Sequence, residues 1–400
     1  MVGSLPQPSP YADRWLLDAE VVFLNHGSYG ATPKAVLDEQ TEIRRRIETE
    51  PLRFFDRHYL DELDAARAEL ARFVGANKAN LAFVCNATTG VNTVLSGLHF
   101  EPGDELLVTD HEYNACRNAL EKVAAAAGAV VVVAPVPFPL TGEDEVVESI
   151  LGHTSDRTRL LLIDHVTSQT GMVLPVRRLV VEVAARGVDV LVDGAHAPGM
   201  LDLDLEALGA SFYTGNCHKW MCAPKGAAFL HVREDLHDLV RPLVISHGAN
   251  ASAARRSRFH LEHDWTGTRD PSAWLAVPAA IREMGRMLDG GWDELRRHNR
   301  RKVLAGRRIL CEVLGVEEPC PDAMIGSLTS VQLPDGDSST CRDAFAIDPL
   351  QNRLLEEWGI EVPVIPWPSP PKRLVRISAQ IYNSREQYAY LARALGNTTT

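Results

Sequence analysis

The chain predicts an α/β fold: a seven-stranded, mainly parallel sheet covered by helices, followed by a smaller α+β domain. Three observations carry this. Apolar runs at 81–84, 105–109, 129–134, 159–164, 188–192, 211–214 and 227–232 are continuous rather than alternating, as strands buried on both faces are. Stretches with helical spacing, such as 113–127 and 175–186, separate most of them, which is the pattern of a sheet wound with helices. From about residue 271 long helical patterns take over, with only a few short strands. Four hundred residues suffice for two domains. The boundaries expected are 1–20 for an N-terminal segment, 21–270 for the large domain and 271–400 for the small one.

Composition narrows the partners. Lys and Arg number 41 against 53 Asp and Glu, a net charge of −12 with no basic block, so neither nucleic acid nor an anionic membrane is expected. Seven cysteines (Cys85, Cys116, Cys217, Cys222, Cys311, Cys320, Cys341) form no C-x-x-C pair, which argues against a zinc site and for a reducing compartment. The opening MVGSLPQPSP lacks the charged and apolar regions of a signal peptide, and no apolar run nears the ~20 residues of a membrane helix. A cytoplasmic enzyme without a metal is the expectation.

Taken in order, residues 1–20 read as a flexible start entering a short helical turn. FLNHGSYG (23–30) is a short strand breaking into a Gly-rich turn, where Gly27 and Gly30 would let backbone approach a ligand. Helices follow at 33–50 and 60–74, the second stopped by Gly75. Run 81–84 leads into Cys85-Asn86-Ala87-Thr88-Thr89-Gly90-Val91-Asn92, opening a helix to about Gly97. Amides and hydroxyls at such a helix start make a phosphate site, or else an ordinary Thr cap. Run 105–109 ends in Asp110-His111-Glu112-Tyr113, run 159–164 in His165 through Gly171, and run 188–192 in Asp193-Gly194-Ala195-His196. After 211–214 come Gly215-Asn216-Cys217-His218-Lys219-Trp220 and then Pro224 and Gly226. Residues 245–270 read as a long functional or interfacial loop, with Arg255-Arg256-Ser257-Arg258 either solvated, facing a dimer partner, or meeting an acidic substrate group. Arg53 is a similar open case. Helices are expected over 272–288 and 293–313, and strands near 328–333, 360–364 and 373–378. Arg376, on a short strand after a Pro-stiffened loop, suits a carboxylate clamp or a surface salt bridge.

Ligands of such sheets gather at the carboxyl ends of the strands. Lys219 there has semi-buried neighbours, which would lower its pKa and free its amine. Asp193 follows apolar residues directly, so it is expected to be buried and paired. Asp193, His196, His165 and His218 are also metal-ligand types, but no element supplies a tight His/Asp pair. Lysine, aspartate and phosphate nest together are what pyridoxal 5'-phosphate (PLP) requires.

With FLNHGSYG, VDGAHAPGM, YTGNCHKW and RLVRISAQIYNS in view, the chain resembles the fold-type I PLP-dependent transferases over most of its length. Within them it resembles the class V aminotransferase group, and most of all the isopenicillin N epimerases. The resemblance implies that Lys219 forms the Schiff base and that Asp193 pairs with the pyridine nitrogen. It places His196, where relatives often have Gln, at the ring hydroxyl, with His111 stacked on the ring and Tyr113 as rival for that role. Ala87, Thr88, Asn216 and His218 would hold the phosphate, Ser168 would lie beside the cofactor, and Thr268 would reach a partner's phosphate across a homodimer. Arg376 would bind the substrate carboxylate, with Asn25 and His26 nearby. Class V cysteine desulfurases need a persulfide-forming Cys on the loop before that Arg. Here the loop, EVPVIPWPSPPKR, has none, and Cys341 lies far upstream. The expected activity is epimerisation at the Cα of a small amino-acid substrate, with Tyr113, His26 or His111 as second acid. The alternatives are a β-eliminating C–S lyase of cysteine desulfhydrase type and an aminotransferase. A non-catalytic binding protein fits poorly with an intact Lys219 and Asp193.

Overall fold

The computed structural model describes residues 4–337, 343 and 345–398. Its strands are β1 (Val22–Phe23), β2 (Leu81–Val84), β3 (Glu105–Thr109), β4 (Val130–Ala134), β5 (Thr158–Asp164), β6 (Asp189–Asp193), β7 (Phe212–Asn216), β8 (Ala228–Val232), β9 (Leu328–Leu333), β10 (Ile360–Glu361), β11 (Val364–Pro366) and β12 (Arg373–Ser378). Strands β2 to β8 form one sheet in the order β2-β8-β7-β6-β5-β3-β4. All its pairings are parallel except those of β8, which runs antiparallel to both neighbours. The central strands β6 to β8 are buried on both faces, which is why their sequences run apolar without alternation. Helices at Tyr59–Val74 and Asn114–Ala127 stop at left-handed Gly75 and Gly128.

This topology gathers the chemistry. Strands β2, β3, β5, β6 and β7 all end on one side of the sheet, so 85–88, 110–114, 164–168, 193–196 and 216–219 emerge together. Because β8 is antiparallel to β7, the turn over 217–227 also stays at that edge, with Asn216 opposite Ala228.

A second sheet, β11-β12-β9, is antiparallel and carries Arg376 opposite Ser330. The N-terminal residues belong with this part of the chain. β1 pairs in parallel with β10, the Ser9 amide donates to the Tyr382 carbonyl at 3.0 Å, and Ser378 donates to Leu24 at 3.0 Å. From Ser9 to Leu24 the segment is accordingly not loose. A 3-10 turn at Pro10–Arg14 sets Trp15, 3% exposed, edge-on to Tyr382 at 5.1 Å.

Two other segments differ from expectation. The helix predicted over 272–288 is two, Ser272–Leu275 and Val277–Gly285, with Pro278 in the first turn of the second. The 245–270 loop contains a helix, Arg258–Asp264, and its arginines are mostly spoken for. Arg256 pairs with Asp64 and with buried Asp264, which also pairs with buried Arg67, and Arg258 donates to the Gly248 and Ala251 carbonyls. Arg255 of the run is exposed, so internal scaffolding accounts for Arg256 and Arg258 and not for the whole run. Arg53 is exposed beside Glu50.

Candidate active site

Lys219 sits in the tight turn between β7 and β8. The Cys217 and His218 amides both donate to the Ala227 carbonyl, at 3.0 and 3.1 Å, and Cys222 donates back to the Lys219 carbonyl at 3.0 Å. The side chain enters a cavity of about 370 Å³ lined also by Ser28, Tyr29, Cys85 to Thr88, Tyr113, Asp164, Ser168, Asp193, Ala195, His196, Asn216, His218 and Gly226. Burial, and then the Arg376 charge, lower the Lys219 pKa from 10.5 to about 8.

The amine's neighbour supports the same state. Lys219 Nζ lies 3.0 Å from His196 Nε2, and the Trp220 indole N–H donates to His196 Nδ1 at 3.3 Å. An indole nitrogen can only donate, so Nδ1 is the acceptor and the ring proton is on Nε2. Facing Lys219, that N–H bonds the neutral form of the amine, which gains population as pH rises through about 8. Burial drives His196 well below its ordinary pKa, so it does not carry a second proton.

Asp193 ends β6. Its Oδ1 accepts from the Ala195 amide at 2.9 Å and its Oδ2 from the Cys116 thiol at 3.1 Å. At the other end of the cavity, the helix Ala87–Gly97 begins with Asn86 as cap, its Oδ1 2.8 Å from the Thr89 amide. The Ala87 amide is taken by Asn216 Oδ1 at 2.8 Å, so Ala87 serves by fixing Asn216, while the Thr88 amide in the first turn has no intrahelical acceptor. His218 Nδ1–H donates to Ala227 O at 3.0 Å, and burial lowers its pKa to about 4. Its Nε2 can therefore donate to a phosphate oxygen only as imidazolium, a state that an anion at that position stabilises.

Arg376 lies behind Ser28 and Ser168. It donates to the Ser168 carbonyl and the Ser28 hydroxyl, both at 2.7 Å. Among the described residues no carboxylate pairs with it and its Nε has no partner, although it is buried deeply enough to lower its pKa to about 10. A buried guanidinium without a counter-ion is costly, and an incoming carboxylate would offset that cost. Asn25 turns Oδ1 toward Ser28 (2.6 Å) and Arg376 (3.5 Å), so it orients the clamp from behind.

Of the expected residues, Arg376, Asn25, His26, His111 and Thr268 do not line the cavity, the first two standing behind Ser28. His26 is fully buried, its Nε2 3.0 Å from the Lys219 carbonyl and its Nδ1 2.8 Å from the Tyr382 hydroxyl. Burial lowers its pKa to about 3, so it is a neutral brace for the lysine turn and neither contacts substrate nor supplies an acid. His111 is likewise buried, bonded to Thr170 Oγ1 (2.8 Å) and the Val136 carbonyl (2.9 Å), with its ring against Trp367. Tyr113 takes the cavity position instead, 44% exposed. Thr268 is exposed and outside this chain's own cavity, and Cys341 lies outside the described residues. Asp164, Ser28, Tyr29 and Cys85 were not expected here, nor was Glu112 buried beside Asp164. Asp164 could have been found by the rule used for Asp193, since it too ends an apolar strand.

The residues present fit PLP: a buried amine of lowered pKa, a carboxylate at the end of β6, a neutral His196 N–H, and a helix N-terminus with Thr88, Asn216 and His218. The chain is 38% identical to an isopenicillin N epimerase of Amycolatopsis lactamdurans, over 95% of each chain. To a probable chloroplastic L-cysteine desulfhydrase of Arabidopsis thaliana it is 32% identical, over 94% of this chain and 83% of the relative. Its fold matches a solved structure of a C-DES mutant with glycine covalently linked to its PLP cofactor, at a TM-score of 0.80, 21% identity, and coverage of 97% and 100%. The family model described as Aminotransferase class-V matches residues 22–346. The protein is thus a fold-type I, PLP-dependent enzyme, and its chain belongs to the aminotransferase class-V family.

Proposed function

We propose that the protein is an isopenicillin N epimerase-like amino-acid epimerase. The observation that carries this is the sheet order. Lys219 follows β7 and Tyr113 follows β3, on either side of β6 and Asp193, and both side chains line one cavity. Two proton-transfer groups flanking one centre suit removal of a proton on one face and its return on the other. With His26 and His111 braced in the interior, Tyr113 is our candidate for the second group. Burial and the nearby Cys116, Tyr29 and Asp193 raise its pKa, so the phenol keeps its proton at neutral pH and has one to give.

PLP, when bound, acidifies the Cα–H of the amino acid joined to it. In our reading Lys219 would hold the cofactor and take the Cα proton, and Asp193 would pair with the ring nitrogen. His196 would donate to the ring hydroxyl, and Thr88, Asn216 and His218 would hold the phosphate, with Ser168 beside the cofactor. Arg376, set by Asn25 and Ser28, fixes the substrate carboxylate. Incubating single enantiomers in deuterated water checks the proposal. Inversion should accompany deuterium uptake, and Tyr113→Phe should slow inversion roughly 10²–10⁴-fold while one-sided exchange persists. Exchange without inversion in the wild type sinks the epimerase reading.

The second reading is a β-eliminating C–S lyase of the desulfhydrase type, supported by the relative of that description. Elimination needs Lys219 but no second acid, so pyruvate and sulfide release from cysteine that survives Tyr113→Phe would favour it. Keto-acid formation would identify an aminotransferase. We further propose a cytoplasmic homodimer. In support, the six described cysteines are free thiols, no helix among the described residues is long and apolar enough to cross a membrane, and Thr268 is exposed outside its own chain's cavity.

A further inference from the structure

Three carboxyl groups meet under the cavity where one suffices for the cofactor. Strands β3, β5 and β6 are successive neighbours, and each carries an acid at or just past its end: Glu112, Asp164 and Asp193. They are 5%, 3% and 1% exposed. Single ligand atoms of Glu112, Cys116 and Asp193 lie within 4.8 Å of one another.

Their hydrogen bonding is unequal. Asp193 has the Ala195 amide and the Cys116 thiol as donors. Both oxygens of Glu112 and Oδ2 of Asp164 are buried without a well-formed hydrogen bond to any donor. In range of Glu112 are the Asp164 carboxyl and the Tyr113 amide. The charges that face the cluster do not neutralise it. Arg117 faces Glu112 but is paired with Glu121 at 2.8 Å, and the single Lys219 amine is shared between Asp164 and Asp193. Tyr213, Tyr113 and the Cys116 thiol, the remaining titratable neighbours, are held protonated by burial. Two ionised carboxylates facing each other here would repel in a poorly screened site, whereas one proton turns the contact into an O–H···O bond.

We infer that Glu112 and Asp164 share a proton at neutral pH, leaving Asp193 ionised as the standing partner of the cofactor's ring nitrogen. The second half of this statement rests on the role proposed above for Asp193. Burial pushes Glu112 and Asp164 well above the usual carboxylate range, helped by the charge of Asp193 on both and of Glu112 on Asp164, while the Asp164 contact partly offsets the rise of Glu112. For Asp193 the rise from burial is opposed by its two donors and by Lys219. The pair acts through Asp193, so Glu112 and Asp164 are positioning residues, not catalytic ones.

Infrared difference spectroscopy in light and heavy water decides the point, on apoenzyme and on PLP-loaded enzyme. The expected result is a carbonyl stretch from a protonated, water-shielded carboxyl at neutral pH. Glu112→Gln and Asp164→Asn each leave an amide to donate to the remaining carboxylate, so each should lose the band while still binding PLP. With cofactor labelled at the ring nitrogen, the double variant removes one negative charge, and the ring nitrogen should lose its proton at a lower pH than in wild type. Absence of the band in the wild type, its survival in both single variants, or stoichiometric binding of zinc by the apoenzyme overturns the shared proton. A ring nitrogen unprotonated in the wild type, with the band present, would overturn the role of Asp193 alone.

Discussion

Lys219 shows how one side chain is set by its surroundings. Its folded-state pKa of about 8 lies below the ordinary 10.5, so the neutral, reactive amine gains population as pH rises through about 8. Attachment of PLP to the apoenzyme should therefore speed up roughly tenfold per pH unit below pH 7 and level off above about 8. Stopped-flow absorbance of the cofactor measures this, and a profile rising only near pH 10 would show that the lysine is not desolvated. Residue by residue, legibility depended on where a strand ends. Asp193, Asn216, His218 and Lys219 could be read because each lies at or just beyond an apolar run, where the sheet delivers it to the cavity. His111 and His26 gave the same signal, yet their rings turn to backbone carbonyls at 2.9 and 3.0 Å. Which of His111, Glu112 and Tyr113 faces the cavity depends on the turn's backbone, and spacing alone does not encode that.

At the scale of elements, the site depends on two short turns pressed together. The helical turn His26–Tyr29 ends at Gly30, whose φ is 70°. A Cβ at Gly30 would stand 2.0 Å from the His218 carbonyl oxygen and 3.0 Å from Lys219 Cα. The sequence announced a close approach at Gly30 but not its object, which is the lysine turn rather than a ligand. Lys225 adds to the same seam by donating to the Gly30 carbonyl at 3.0 Å. Gly30→Ala would incur about 1–2 kcal/mol for the left-handed backbone and more for displacing His218 and Lys219. The expected outcome is a Tm lowered by several degrees and loss of the cofactor's bound absorbance band. A variant that binds PLP normally would show that the seam tolerates movement.

For the whole molecule, the open question is what covers the surface outside the cavity. The seven strands and their helices were legible because long, doubly buried elements repeat one strong signal. The association of the N-terminal residues with β10 and β12 was not, since it depends on contacts more than 300 positions apart in the chain. An interface between chains is harder still, but the surface offers two marks of one. Leu243, Val244 and Ile245 are successive and 50%, 56% and 56% exposed, which is unusual for apolar side chains in a row. They stand in the same long connection as Thr268, whose exposed hydroxyl has no role in its own cavity. If that connection meets a second copy, Val244→Glu should sediment near the chain mass of 44.0 kDa where the wild type sediments near twice that. Thr268→Ala should leave the mass unchanged but weaken PLP binding roughly tenfold or more, as expected for one lost hydrogen bond to a charged group. The two variants separate assembly from ligation. A wild type that sediments as a single chain and yet holds PLP tightly would remove the partner from the site altogether, leaving Thr88, Asn216 and His218 to bind the phosphate unaided.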